Sequence, residues 1–234
     1  MYFYSMNEKI FFKDLGLRSY KDVWDLQEVL LKQNVEKKAN EKTRLDTINH
    51  LLFVEHLPVY TLGKSGKKEH ILISDEDMQR KGIEFFHINR GGDITFHGPQ
   101  QLVGYPILDL DKFKTDLSWY LRSLEEVFIA TMAEYGLKGD RSKGETGVWM
   151  DPEIKGKERK ICAMGIKCSR WITMHGFAFN VNTELSYFEN IIPCGIEHKQ
   201  VTSLEKELGR KVDMNEVKEK VKRNFEIIFD ATIV

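Results

Sequence analysis

The stretch IEFFHINRGGDITFHGPQQLVGYPILDL, residues 83–110, decides the class of fold. It contains three short runs of β-branched and aromatic residues, which are separated by Gly91-Gly92 and by Gly98-Pro99. Turn residues between such runs are typical of strands that fold back on one another. The stretch therefore predicts sheet with two glycine turns.

The sequence before this stretch predicts one helix and one strand. Apolar residues at helical spacing over residues 19–42 predict an amphipathic helix, which Ser19 and Asp22 are suitably placed to cap. Residues 50–66 are apolar and β-branched up to Pro58 and then contain glycines, so they are typical of a strand followed by a loop.

The sequence after it predicts a second core helix from Leu117 to Gly136 and three strands over residues 146–182. Two closing helices follow. Capping-box spacings predict their starts, at Thr202 with Glu205 and at Asp213 with Glu216.

Helices and strands alternate here without the regular rhythm of a doubly wound parallel sheet, so we predict a mixed α/β (α+β) class. The 234 residues show no internal repeat or linker, and 41% are apolar, so one domain over residues 1–234 is expected. Free thiols are expected because Cys162, Cys168 and Cys194 form a sparse, odd set.

Composition excludes several functional classes. With 35 basic and 36 acidic residues, the formal charge of −1 argues against a nucleic-acid binder that depends on a surplus of positive charge. No run is apolar and long enough for a membrane span, and the N-terminus lacks a signal-peptide pattern, so we expect a cytoplasmic protein that binds no membrane.

Familiar catalytic motifs are absent from the sequence. It contains neither GxxxxGK[ST] nor GxGxxG nor GxSxG, which argues against a phosphate-binding loop and a serine hydrolase. The candidate metal ligands lack zinc-like spacing, so no metal is predicted. These candidates are Cys162, Cys168, His175, Cys194 and His198.

Two short segments remain as candidates for chemistry. The turn from Arg90 to His97 fits either a ligand-binding loop with polar ends or a plain hairpin with a buried histidine. Lys160 begins a largely apolar run that would favour proton transfer, although a lysine at a strand end is commonly just solvated. Cys194, between a proline and a glycine, is the candidate nucleophile, whereas Cys162 and Cys168 are expected to be core residues.

Several motifs in order resemble the octanoyltransferase family of the lipoate pathway. They are PVYTLGKSG (58–66), RGGDITFHGPQQLVGYPILDL (90–110), GVWM (147–150), RKICAMGIKCSRWITMHGFAFNVN (159–182) and NIIPCGI (190–196). The resemblance covers most of the chain. One departure is Gln100, which stands where the family's GPGQL motif has glycine.

The resemblance implies the fold of lipoate ligases and biotin protein ligases, a mixed sheet flanked by helices. It implies transfer of octanoyl from octanoyl-acyl carrier protein to a lysine of lipoyl domains, in 2-oxoacid dehydrogenases and in the glycine cleavage H protein. No cofactor is implied, and a monomer is expected. By motif position, Cys194 matches the acylated cysteine and Lys160 its partner.

The resemblance also implies a set of acyl-binding residues. They are Arg90, Gly91, Gly92, Asp93, Ile94, Thr95, Phe96, His97, Ala163, Met164, Gly165, Gly176, Phe177 and Ala178, with His175 as a further wall.

Thiol chemistry supports the same assignment. A thiol with an ordinary pKa of about 8.5 is only about 3% thiolate at neutral pH, and a neighbouring ammonium raises that fraction. Two alternatives stay open: an ATP-dependent ligase of the lipoate or biotin type, and a non-catalytic relative that binds acylated carriers.

Overall fold

The computed structural model describes residues 8–192 and 200–234, which form two sheets and five helices. In chain order these are β1 (Glu8–Arg18), α1 (Tyr20–Ala39), β2 (Asn49–His56), β3 (Val59–Leu62), α2 (Asp75–Arg80), β4 (Glu84–His87), β5 (Ile94–His97), β6 (Gln101–Ile107), α3 (Leu117–Ala133), β7 (Val148–Met150), β8 (Arg159–Ser169), β9 (Ile172–Asn180), β10 (Gln200–Val201), α4 (Leu204–Leu208), α5 (Met214–Phe229) and β11 (Ala231–Ile233).

The larger sheet has the strand order β10-β8-β9-β6-β2-β1-β11, and β7 pairs with β8 outside this path. Strands β8, β9, β6 and β2 pair antiparallel in sequence across its centre, while β10, β1 and β11 join by parallel pairing. The smaller sheet has the order β4-β3-β5. The predicted mixed sheet is therefore confirmed.

The larger sheet separates two apolar cores, because successive side chains of a strand point to opposite faces. On β6, Leu102 lies in the core that α3 and α5 cover. Its neighbours Val103 and Tyr105 lie in the other core, against Val23 and Leu31 of α1. The smaller sheet has a core of its own, on the side of α2.

Most of the predicted elements are present. The three runs in residues 83–110 are β4, β5 and β6, and the three strands predicted over residues 146–182 are β7, β8 and β9. Part of the predicted loop in residues 50–66 was wrong, because Val59–Leu62 form β3, a short and wholly buried strand. Strand β1 was not predicted, since Ile10 is its one buried residue and it shows no apolar alternation.

Of two helix caps predicted from neighbouring residues in the sequence, the structure has one as predicted and one at a different residue. Ser19 accepts a hydrogen bond from the Asp22 main-chain N–H, as predicted. The predicted cap at Thr202 was wrong, because Ser203 caps α4 by accepting from the Lys206 N–H. The Thr202 hydroxyl instead donates to the Glu207 carboxylate, 2.6 Å away.

Gln100 adopts the backbone conformation that a glycine would take. Its φ is +63°, in the left-handed region. Its main-chain N–H donates to the Glu55 carboxylate at 2.7 Å, and its side-chain oxygen accepts from the Asn182 amide at 2.8 Å. The loop therefore keeps a glycine-like shape despite the substitution.

We expect Gln100→Gly to be more stable than Gln100→Ala by about 1 kcal/mol, because both variants lose the bond to Asn182 but only glycine relieves the left-handed strain. Urea unfolding of the two variants measures this difference. Equal stabilities would contradict a left-handed backbone at this position.

Candidate active site

A cavity lies between the smaller sheet and the α1-facing side of the larger sheet. The centre of a water molecule can occupy about 80 Å³ of this cavity. That volume is several times the roughly 10–15 Å³ that a single water needs. Of the residues predicted to form the site, Arg90, Gly92, Asp93, Ile94, Thr95, His97, Lys160, Ala163, Met164, Gly165, His175, Gly176, Phe177 and Ala178 line it.

Two predicted residues do not line the cavity. Phe96 points to the opposite side of β5 and stacks on Tyr187 with ring centroids 4.5 Å apart. Gly91 takes part through its main chain, since its N–H donates to the Ile166 carbonyl at 2.9 Å. Cys194 lies outside the described residues.

Other lining residues were missed by the sequence analysis. They are Tyr20, Gln101, Val103, Tyr105, Asn180, Phe188 and Val201. Gln101, Val103 and Tyr105 alternate along β6, so the period of a strand could have assigned all three to one face. No local signal marks Tyr20, which reaches the cavity because α1 packs across the sheet.

Glycines let three segments of main chain meet beside the cavity. Gly165 and Gly176 face each other across β8 and β9. A Cβ on Gly165 would lie 2.7 Å from the Gly91 carbonyl oxygen, and a Cβ on Gly176 would lie 2.3 Å from the Gly104 oxygen. The two glycine motifs of β8 and β9 therefore allow close main-chain contact on both sides.

Lys160 lines the cavity together with Asn180 and Val201. Val201 pairs directly with Lys160, and the Thr202 N–H donates to the Lys160 carbonyl at 2.9 Å. Gly165 is five residues further along β8 and also lines the cavity. The cavity, called the slot below, therefore runs along β8 from Lys160 to Gly165.

The two described thiols are poor nucleophiles. Cys162 is fully buried in the core below α3, and burial raises its pKa well above the ordinary value. Burial also raises the pKa of Cys168. The expectation that Cys162 is a core residue is confirmed, while Cys168 is partly exposed.

Arg90 is held beneath the slot by the smaller sheet. Its Nη2 donates to the main-chain and side-chain oxygens of Thr61, at 2.7 and 3.0 Å. The Thr61 hydroxyl is 3.4 Å from His97 Nε2. Burial lowers the pKa of His97 well below its usual value, and the nearby Arg90 charge acts in the same direction.

Two buried side-chain amides continue this polar path. His97 Nδ1 lies 2.9 Å from Gln101 Oε1, which fits donation by the ring nitrogen. Gln101 Nε2 donates to Asn180 Oδ1 at 2.8 Å, and Asn180 Nδ2 donates to the Thr202 carbonyl at 3.0 Å. The path links His97 to the short strand that pairs with Lys160.

Two further histidines stay neutral because they are buried. Burial lowers the pKa of His56 to about 4 and that of His175 to about 3. His56 Nε2 is 2.7 Å from the Tyr105 hydroxyl. His175 has a φ of +60°, and its main-chain N–H donates to Gln27 of α1. The His175 ring therefore offers a neutral wall to an apolar ligand, while His56 lies behind Tyr105.

The lining of the slot combines apolar and polar groups. Met164, Phe177 and Ala178 supply apolar wall, and Lys160 supplies an amine. Within residues 8–192 and 200–234, no cluster of histidine, cysteine and carboxylate side chains could hold a metal ion. No helix of this described part is long and apolar enough to cross a membrane.

This chain is similar to known proteins over most of its length. The family model described as lipoyl protein ligase A/B catalytic domain matches residues 19–226. The chain is 55% identical to a protein named octanoyltransferase from Christiangramia forsetii, over 97% of this chain and 99% of that protein. It is 56% identical to an octanoyltransferase from Flavobacterium johnsoniae, over 98% of this chain and 100% of that protein.

The fold is also that of a solved lipoate ligase. A bi-partite lipoate protein ligase from Thermoplasma acidophilum has a TM-score of 0.69 at 16% identity, covering 98% of this chain and 86% of that one. This confirms the predicted lipoate ligase-like mixed sheet flanked by helices.

We expect the free energy of unfolding to fall as the pH drops below about 6.5. In the folded protein His56, His97 and His175 stay neutral at this pH because their pKa values are lowered, whereas in the unfolded chain they become protonated. Each such histidine contributes a slope of about 1.4 kcal/mol per pH unit. Urea unfolding at intervals between about pH 7 and pH 5 measures the slope.

His97→Gln is expected to lower the slope of the unfolding free energy against pH by the contribution of one histidine, about 1.4 kcal/mol per pH unit. His87→Gln is the matched control, because His87 is exposed. An unchanged slope in His97→Gln would contradict the buried neutral state of that ring.

Proposed function

Because this chain belongs to the octanoyltransferase family, within the lipoyl protein ligase A/B catalytic-domain group, we propose that it moves octanoyl from octanoyl-acyl carrier protein to a lipoyl-domain lysine. The family consists of acyltransferases, and this chain is one of them. The acceptors we propose are the lipoyl domains of 2-oxoacid dehydrogenases and the glycine cleavage H protein.

The slot, which Lys160 lines together with the apolar side chains of Met164, Phe177 and Ala178, is the observation that carries the proposal. An octanoyl chain spans roughly 9 Å from carbonyl to methyl, at about 1.2 Å per bond of an extended chain. The stretch of β8 from Lys160 to Gly165 that lines the slot is longer than this chain at roughly 3.3 Å per residue, even with one extra residue in the strand. Burial of its seven remaining carbons, at about 0.8 kcal/mol each, stabilises the bound chain by at most roughly 5–6 kcal/mol.

In the first half of the reaction, the Cys194 thiolate attacks the carbonyl carbon of the donor thioester. The tetrahedral intermediate collapses, the carrier's sulfur leaves and takes up a proton, and an octanoyl thioester remains on Cys194. One thioester replaces another, so the step needs no ATP. The Lys160 ammonium favours the thiolate before attack.

In the second half, the acceptor's uncharged amine attacks the acyl-enzyme. Lys160, neutral after giving up its proton, takes one from the attacking nitrogen, and the Cys194 sulfur leaves as thiolate. An amide bond forms and the thioester bond breaks. The same lysine thus acts in both halves.

Two features of the described residues support Cys194 as the nucleophile. Burial raises the pKa of Cys162 and of Cys168, which makes both poor nucleophiles at neutral pH. The segment containing Cys194 is flanked by Ile192, bonded to His70, and by Val201, paired with Lys160. In sequence, Cys194 comes two residues after Ile192 and seven residues before Val201, the strand partner of Lys160.

Docking of acidic partner domains is proposed for the surface beside Arg90. The Lys64 N–H donates to the Arg90 carbonyl at 3.0 Å, and Lys64, Lys67 and Lys68 are exposed. Positive charge next to a reactive slot steers an acidic domain towards it. The clusters at 155–160 and 218–223 carry the same sign of charge.

Incubation with octanoyl-acyl carrier protein is expected to add one octanoyl group to the wild-type protein in intact-mass analysis, without ATP. Cys194→Ala is expected to gain none, because the thioester has no sulfur to form on. The matched controls Cys162→Ser and Cys168→Ser retain the adduct.

Three outcomes would contradict this proposal. If Cys162→Ser or Cys168→Ser lost the octanoyl adduct as completely as Cys194→Ala, a thiol other than Cys194 would be the nucleophile. Acylation from free octanoate with ATP would support the ligase alternative, and tight carrier binding without transfer to a lipoyl domain would support the non-catalytic one.

Lys160→Ala is expected to slow iodoacetamide alkylation of Cys194 at neutral pH by about tenfold, because the thiolate loses its neighbouring ammonium. Peptide mapping isolates the Cys194 rate from those of the other thiols. Lys157→Ala is the matched control, since Lys157 is an exposed lysine of the same cluster. An unchanged rate in Lys160→Ala would remove the lysine from this role.

A further inference from the structure

The pairing of β7 with β8 is irregular next to Lys160. Val148 pairs with Cys162, but the next residue, Trp149, pairs with Lys160, so Ile161 is an extra residue on β8. Ile161 and Cys162 are consecutive, yet both lie fully buried in the same core. This is the pattern of a β-bulge, in which two residues oppose one on the partner strand.

The bulge determines the face of β8 on which the Lys160 side chain lies. Regular alternation would place Lys160 on the same face as Cys162, in the core under α3. The extra residue reverses the alternation, and Lys160 lines the slot instead. A bulge that re-aims a side chain next to a candidate active site is a known use of this irregularity.

On this face of β8, the Lys160 side chain lies over the ring of Trp149. Lys160 Nζ lies 4.6 Å from the centroid of the Trp149 ring, within the roughly 6 Å over which an ammonium is attracted to an indole face. The indole is only 2% exposed. Its main-chain N–H and carbonyl both bond to Asp140, each at 2.9 Å. The buried Trp149 ring therefore offers a fixed aromatic face to the flexible Lys160 side chain.

A buried carboxylate anchors the strand that carries Trp149. Glu125 of α3 is wholly buried, and its Oε1 accepts from the Gly147 N–H at 3.0 Å. Its other oxygen bonds to Arg122 and Arg141 at 2.6 and 2.9 Å. Gly147 has a φ of +111°, and a Cβ there would lie 2.4 Å from the Cys162 oxygen. The start of β7 therefore cannot shift relative to β8.

We infer that Trp149 is a positioning residue, whose indole face holds the Lys160 ammonium at the reactive end of the slot. This inference rests on the proposed function, in which Lys160 moves protons in both halves of the transfer. A lysine side chain has many rotamers, and the ring reduces the number that it samples. Trp149 needs no contact with the substrate for this role.

NMR of protein labelled with [6-13C]lysine tests the contact directly. The Lys160 Cε–H signal, assigned by its loss in Lys160→Arg, is expected upfield of ordinary lysine signals because it lies over an aromatic face. Trp149→Leu is expected to return it to the ordinary position. Trp149→Phe is expected to keep part of the displacement, since phenylalanine retains a smaller aromatic face.

A second cation–π pair in the same chain is the matched control. Lys220 Nζ lies 3.7 Å from the centroid of the Tyr135 ring. Tyr135→Leu is expected to move the Lys220 signal while the Lys160 signal and the rate of transfer stay unchanged. An unmoved Lys220 signal in Trp149→Leu shows that this variant is folded.

Octanoyl transfer is measured on the same variants. Trp149→Leu is expected to lower kcat by about 3- to 30-fold, the range that loss of a cation–π contact predicts, with KM for the octanoyl carrier changed less than about twofold. Trp149→Phe is expected to recover part of kcat. Such a split separates positioning of Lys160 from loss of substrate binding.

An ordinary Lys160 signal in the wild-type protein, or a Trp149→Leu variant with unchanged kcat, would overturn the inference. Should Trp149→Leu fail to fold, Trp149→Phe decides the question by the size of its own signal shift and kcat loss. A displaced Lys160 signal in a protein that transfers no octanoyl would uphold the contact and overturn only the proposed function.

Discussion

Close contact between the main chain of residues 90–92 and strand β8 joins the two sheets beside the site. The Gly91 N–H bonds to the Ile166 carbonyl, and Gly165 leaves room for the Gly91 oxygen where a Cβ would collide. Arg90 is then held against Thr61 of the smaller sheet. This contact brings residues of the smaller sheet and of β8 to the same cavity.

The chemistry of the slot follows from what surrounds it. Three histidines line it or lie behind it, and burial lowers the pKa of each, so none adds charge to its wall at neutral pH. Buried polar groups need partners, and the amides of Gln101 and Asn180 satisfy one another and the Thr202 carbonyl. The apolar wall can thus take an acyl chain, while the charged side chains of the lining are Arg90, Asp93 and Lys160.

The family and the fold carry different information about this chain. Relatives above half identity share its length and carry the name octanoyltransferase. The lipoate ligase from Thermoplasma acidophilum shares its architecture at 16% identity, and this likeness concerns the fold alone. The reaction depends on a few side chains set on that fold. A thiol nucleophile distinguishes the proposed transfer from ATP-dependent ligation.

The sequence by itself determined the local features: the strands and glycine turns of residues 83–110, the cap at Ser19, the burial of Cys162 and the motifs that carry the family resemblance. These depend on neighbours a few residues apart, so a short window contains them. Only the tertiary structure decided that Tyr20 closes the slot, that Ser203 rather than Thr202 caps α4, and that Lys160 lies over Trp149. The last depends on one extra residue in the register of two strands, and register is set by packing between segments that are distant in the chain.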